Sequence, residues 1–355
     1  MLTAAAATDS GALLPAFPLL PELPSSIGQP AAAQLLTELP SSIGHPAAAP
    51  PAAAAVTAPT SSLCHLSFYT CLRGGFNPSL GFYNCYDWGF IPSLQAGWLT
   101  TGFTNDTVLA RAGGSVGIAS MLYIGDTFFE FGKGLRSDYV RRWQAQAADV
   151  EQLIKSGHIV GFFVGDEIVS AKEITWVDIS TAVRTVLQPL KQRYPHLFVW
   201  QNEGGASRWW EKLPNGTLPS EIDVISIDAY GLTPNATRAW YRRNLYTIMN
   251  WETQRVFIVP GSFGSRVDRN KTLEQFTTQM VANAEDYHKW ALEDPMVYGI
   301  VPWHWEARKV GQTSAYKEVG TSEMPALIAA WAAIGKTVLA RRGAGDCAAF
   351  PPTAH

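Results

Sequence analysis

Acidic and aromatic residues recur together at the ends of apolar runs in this chain of 355 residues. Asp166-Glu167 closes one run, Asn202-Glu203 a second, and Asp228 with Tyr230 a third; Trp303-His304-Trp305-Glu306 ends a fourth. Tyr86-Asp87-Trp88 and Asp126 follow earlier runs in the same way. Adjacent carboxylates can divide acid and base work, because one negative charge raises the pKa of its neighbour and keeps it protonated. A protonated acid for a leaving oxygen, an anion facing an oxocarbenium-like centre and flat rings for sugar stacking are the parts that cleavage of a glycosidic bond requires. An Asp or Glu after a strand also serves simply to cap the next helix, so the adjacent pair at 166–167 weighs more than any single carboxylate. The candidate catalytic residues are therefore Glu167, Asp166, Glu203, Asp228 and Glu306, and the candidate substrate contacts are Trp88, Asp126, Trp200, Asn202, Tyr230, Trp303, His304 and Trp305.

These residues need a scaffold that brings many strand ends to one rim. Residues 117–124, 159–164, 197–200, 224–227, 256–259 and 298–303 are short, almost wholly apolar and bounded by Gly, Asp, Glu or Pro, the pattern of parallel strands buried on both faces. Two weaker runs, 81–86 and 94–98, precede them and bring the number of strands to eight. Between the runs the sequence carries helix signals. Ser137 opens a helix that stops at Gly157, Thr175 with Asp178 opens one that ends at Tyr194-Pro195, Thr272 with Gln275 opens a third and Ser322 the last. Eight strand-helix units predict an α/β (β/α)8 TIM barrel over residues 63–342, whose active site lies at the C-terminal ends of the strands. A doubly wound open sheet is the alternative, but no Gly-x-Gly-x-x-Gly or Walker fingerprint follows the early strands. Residues 1–62 contain no Lys or Arg and repeat Glu22-Leu-Pro-Ser-Ser-Ile-Gly at Glu38, which predicts a disordered leader or linker without the basic region of a standard signal peptide. Residues 343–355 read as a flexible tail.

Composition narrows the partners. A net charge of -3 without a basic run argues against nucleic acid, and no stretch reaches the roughly 18 apolar residues that a membrane span needs. The four cysteines, Cys64, Cys71, Cys85 and Cys347, lack paired metal-ligand spacing and leave room for one disulfide among the first three. His158, His288 and His304 have no ligand partner at i+4, so no metal or other cofactor is expected. Gly261-Ser262-Phe263-Gly264-Ser265 lacks the nucleophile-elbow pattern. Four Asn-X-Ser/Thr acceptors, at Asn105, Asn215, Asn235 and Asn270, point to a secreted or lumenal glycoprotein. Carbohydrate is the expected partner, and the sequence fixes no oligomeric state.

Over most of residues 64–340 the chain resembles the glycoside hydrolase superfamily of TIM barrels. The ending Gly165-Asp166-Glu167 looks like that of the β-hexosaminidases, in which the Glu is the general acid and the Asp orients the substrate's 2-acetamido group as internal nucleophile. The resemblance implies Glu167 as acid/base and Asp166 as the orienting carboxylate. Trp200-Gln201-Asn202-Glu203 and Trp303-His304-Trp305-Glu306 are loosely similar to strand ends that line sugar subsites in that group. Retaining enzymes of the large cellulase-like clan carry a nucleophile Glu after the seventh strand, where this chain reads Val259-Pro260-Gly261-Ser262. That departure leaves substrate assistance, or a partner for Glu167 drawn from Glu203, Asp228 or Glu306. The expectation is a hydrolase of a β-linked glycan, N-acetylated or not; the rival is a barrel that binds glycans without cleaving them.

Overall fold

The computed structural model describes residues 62–68, 71–77, 82–88, 97–171, 174–205, 209–264, 271–305, 308–309 and 317–344. Eight parallel strands form one sheet: β1 (His65–Leu66), β2 (Thr101–Thr104), β3 (Ala119–Tyr123), β4 (Ile159–Asp166), β5 (Phe198–Gly204), β6 (Val224–Asp228), β7 (Arg255–Ile258) and β8 (Val297–Ile300). Their order is β1-β8-β7-β6-β5-β4-β3-β2. The two edges meet where the Thr100 amide donates to the Leu66 carbonyl at 3.2 Å and the Leu66 amide to Thr100 Oγ1 at 2.8 Å, which nearly closes the barrel. Side chains alternate between two cores, as strand geometry requires. Phe103, Met121, Phe163, Phe198, Trp200 and Phe257 fill the barrel interior, whereas Leu122, Phe162, Val199, Ile225 and Ile258 face the helix layer.

The last six strands lie where the apolar runs place them, and the first two do not. Phe82–Trp88 pairs antiparallel with Cys71–Asn77 in a hairpin within the β1–β2 connection, and its mixed polar and aromatic sequence suits that role better than a position buried on both faces. The run at 94–98 yields no strand among the described residues; Trp98 sits in a turn, and 94–96 lie outside them. The actual β1 is two residues long, too short to register as a run. The actual β2 reads Thr-Gly-Phe-Thr and is wholly buried because its hydroxyls have partners: Thr101 Oγ1 lies 2.7 Å from His65 Nδ1. Polar residues buried with satisfied hydrogen bonds escape any reading of hydropathy.

Thr175 and Thr272 form capping boxes with Asp178 and Gln275, opening α-helices at Trp176 and Leu273. The helix expected from Ser137 is split into Tyr139–Gln144 and Ala147–Lys155, and its first cap, Asp138, binds Arg141 and Arg142 in place of backbone amides. Ser322 lies in a short turn, and the last helix starts at Pro325, whose missing N–H costs nothing at a first helical position. Cys64 is disulfide-bonded. Among the described residues no helix is long and apolar enough to cross a membrane, and no cluster of three His, Cys, Asp or Glu side chains could hold a metal ion.

Candidate active site

A bulge in β4 decides where the acidic pair points. Phe163 pairs with Trp200, but Gly165 pairs with Gln201 and Asp166 with Asn202, so Val164 is an extra residue on the β4 side. Phe163 points into the barrel, and with period-two alternation Asp166, three residues on, would face the helices. The extra residue restores the inward direction and brings Asp166 to the height of Asn202. Glu167 follows with φ of 51°, in the left-handed region, its amide donating to the Asn202 carbonyl at 2.9 Å. Asp166 and Glu167 are both partly exposed.

Asn202 connects the strand ends. Its Nδ2 donates to Asp166 Oδ1 at 2.7 Å and to Asp228 Oδ1 at 2.9 Å, so one buried amide holds carboxylates from β4 and β6. Its Oδ1 accepts from Ser226 Oγ at 2.6 Å, and Ser226 Oγ in turn accepts from the Trp200 indole at 2.8 Å. Burial pushes the Asp228 carboxyl well above the usual carboxylate range, and the charges of Asp166 and Glu167 push it the same way; hydrogen bonds from Asn202 and Tyr230 pull against them. On the β3 side, the Tyr123 hydroxyl donates to Asp126 Oδ1 at 3.2 Å. Burial, then the charges of Asp126 and Asp166, raise the Tyr123 pKa well above its ordinary value.

The aromatic candidates divide by depth. Tyr230 and Trp303 are partly exposed and stack at 6.3 Å with an interplanar angle of 19°. Trp303 is held where its amide donates to the Pro260 carbonyl at 2.9 Å, and the Trp303–His304 peptide is cis. Trp200, expected to offer a face to substrate, is fully buried in the barrel interior and stacked on Phe163 at 4.1 Å. It sits one inward position below Asn202, too deep for a ligand. Trp305 packs between Phe68 and Trp98 in the helix-facing core, and His304 is buried against Phe263; neither presents a surface to substrate.

Glu203 is likewise corrected as a catalytic candidate. Trp200 and Asn202 point inward, so Gln201 and Glu203 point outward, and Glu203 is fully buried behind the rim. Its oxygens accept from the Val169 amide at 3.1 Å and the Ser170 amide at 3.0 Å, capping the short helix Ile168–Ala171, and from Gln201 Nε2 at 2.6 Å. Burial pushes its pKa to about 7 against those bonds. Asn202, expected as a substrate contact, is buried, with its side-chain amide bonded to Asp166, Asp228 and Ser226. Asp126 is exposed at the β3 end. Trp88 ends the hairpin in the β1–β2 connection and does not follow a barrel strand. Glu306 lies outside the described residues.

Two contributors escaped sequence reading: Ser226, whose place two residues before Asp228 puts it on the same face, and Tyr123, the last residue of β3. After β7, Ser262 is buried and pairs with Thr321 Oγ1 at 2.7 Å and the Trp331 indole at 3.1 Å. A cavity of about 380 Å³ beside Asn105 and Asp149 shares no residue with the strand-end cluster.

No protein-family model matches the chain, and none of the curated proteins matches it in sequence. Among solved structures, beta-glucuronidase 2 of Bacteroides uniformis is 12% identical over 60% of this chain and 27% of its own, with a TM-score of 0.42. The GH53 catalytic domain of Ignisphaera aggregans is 10% identical over 64% of this chain and 77% of its own, with a TM-score of 0.43. A GH2 beta-galacturonidase of Eisenbergiella tayi is 10% identical over 67% of this chain and 45% of its own, with a TM-score of 0.43. This chain thus spans about a quarter of the first and under half of the third. At these values the likeness gives no residue here a role.

Proposed function

We propose that the barrel, residues 63–342, is a glycoside hydrolase that cleaves a β-linked glycan, N-acetylated or not, with Asp166, Glu167 and Asp228 as its acid/base set. The observation that carries this reading is the bridging of Asp166 and Asp228 by a single buried amide, beside the Tyr230–Trp303 stack. Glu167 is the general acid of the proposal, a partly exposed carboxyl on the turn that leaves β4. Asp166 is the anion that orients or stabilises the reacting sugar, and Tyr230 with Trp303 is the sugar platform. The absence of a carboxylate at Val259-Pro260-Gly261 favours substrate assistance over a protein nucleophile from β7. The disulfide at Cys64 and the four glycosylation acceptors suit an oxidising, secretory setting.

The test is turnover of a panel of chromogenic β-glycosides by wild type and Glu167→Gln. The substitution keeps size and hydrogen bonding but removes the transferable proton, so turnover should fall by about 100-fold or more with affinity largely kept. The loss should shrink for substrates with good leaving groups. Full activity of the Gln variant on poor leaving groups would remove Glu167 from this role. The same missing carboxylate after β7 also favours a second reading, a barrel that binds glycan without cleaving it. Glycan binding without turnover across the panel would select that one.

A further inference from the structure

The hydrogen bonds beneath the carboxylates run in one direction only. An indole N–H can only donate, so Trp200 fixes Ser226 Oγ as its acceptor. Ser226 then has one hydrogen of its own, and it points to Asn202 Oδ1 at 2.6 Å. With its carbonyl held from below, the Asn202 amide must present both Nδ2 hydrogens upward, one to Asp166 Oδ1 and one to Asp228 Oδ1. The opposite rotamer would aim the amide oxygen at both carboxyls, which is tolerable only if each is protonated. The amide thus stabilises the anionic forms, and it excludes a proton from both Oδ1 atoms.

We propose that Trp200, Ser226 and Asn202 form a directional relay that locks the Asn202 amide against Asp166 and Asp228, keeps any proton off their two Oδ1 atoms and favours the anionic form of both. This rests on the proposed glycosidase reading for its purpose: an orienting Asp166 must be charged, and the relay favours that charge. Other charged and titratable groups face the pair. Asp228 faces the charges of Asp166 and Glu167 and the hydroxyl of Tyr230, and the hydroxyl of Tyr241 on the helix side also feels its charge. Asp166 faces Tyr123, which is engaged with Asp126.

The test does not need turnover. The full chain labelled with 13C at aspartate carboxyls is titrated by NMR, with Asp166→Asn and Asp228→Asn giving the assignments. Wild type should show Asp228 titrating well above the ordinary carboxylate range. Ser226→Ala frees the amide to turn its oxygen upward, so the Asp228 midpoint should rise by about one pH unit, and Ser226→Thr should restore it. Asn202→Leu removes both donated bonds and should raise it further; where that variant does not fold, Ser226→Ala decides. An Asp228 midpoint unmoved by Ser226→Ala, or one that Ser226→Thr does not restore, would overturn the relay. Either result would leave the Glu167 assay standing, and a failed Glu167 assay would leave the titration readable.

Discussion

Adding one methyl group at Gly165 tests how the site is built. A Cβ there would lie 2.5 Å from Ile168 Cγ2, 2.8 Å from Cδ1 and 3.1 Å from Cγ1, all inside normal contact. Ile168 is fully buried and β-branched, so its side chain has one comfortable rotamer and no open space to move into. Such overpacking costs about 1 to 3 kcal/mol, and at about 2 to 4 °C per kcal/mol for a chain of this size the expected fall in Tm for Gly165→Ala is on the order of 5 °C. Ile168→Ala alone should cost about 2 to 5 kcal/mol through the cavity it leaves. The double variant removes the clash and partly fills that cavity, so it should be less destabilised than the sum of the singles by about 0.5 to 3 kcal/mol. Urea denaturation followed by circular dichroism measures all three. Strict additivity would show that Gly165 is not a glycine because of Ile168.

Lys191 Nζ contacts both oxygens of the fully buried Asp223 at 2.6 and 2.5 Å, so Lys191→Met should leave an uncompensated charge and cost about 3 to 5 kcal/mol in the same assay, whereas an exposed pair would cost under about 1. Burial lowers the pKa of His65 to about 3, with the charge of Arg342 adding to it, so the unfolded chain takes up a proton near pH 6.5 that the folded chain refuses. Stability should therefore decline as pH falls from about 6.5 towards 3, by roughly 3 to 5 kcal/mol in total, and His65→Asn should remove that part of the slope in pH-dependent denaturation. Trp303→Ala should weaken glycan binding by calorimetry while costing less stability than the about 3 to 5 kcal/mol expected for Trp200→Ala in the closed core; equal stability losses would assign Trp303 to packing.

What the sequence disclosed followed from burial pattern. Strands β3 to β8 were legible because strands covered on both faces read as unbroken apolar runs, and the capping boxes at Thr175 and Thr272 because a short oxygen-bearing side chain three residues before Asp or Gln is a local device. Strands β1 and β2 were not legible, since one is two residues long and the other buries threonine hydroxyls on partners distant in sequence. The acidic pair at 166–167 was visible as chemistry, yet its direction depended on the bulge, which only strand pairing reveals. Parity along β5 separates Asn202 from Glu203 once the strand is placed. Depth is a different matter: nothing in the local sequence says that Trp200 lies below the rim and Trp303 at it.

That depth ordering links stability to chemistry. Inward residues climb β5 as Phe198, Trp200 and Asn202, and β6 as Val224, Ser226 and Asp228, with Trp200 level with Val224 and Asn202 level with Ser226. The interior changes from apolar to polar between those two levels, and the Trp200 indole reaches across the change to Ser226. Aromatic packing of Trp200 on Phe163 and Phe257 seals the space below from water. Trp200, Ser226 and Asn202 are themselves fully buried, so the hydrogen bonds among them act in a medium of low polarisability, where a directed N–H counts for more. Trp200 thus packs in the barrel core and also begins the hydrogen bonds that fix the amide, so a cavity opened at Phe163, on which it stacks, should disturb the carboxylates.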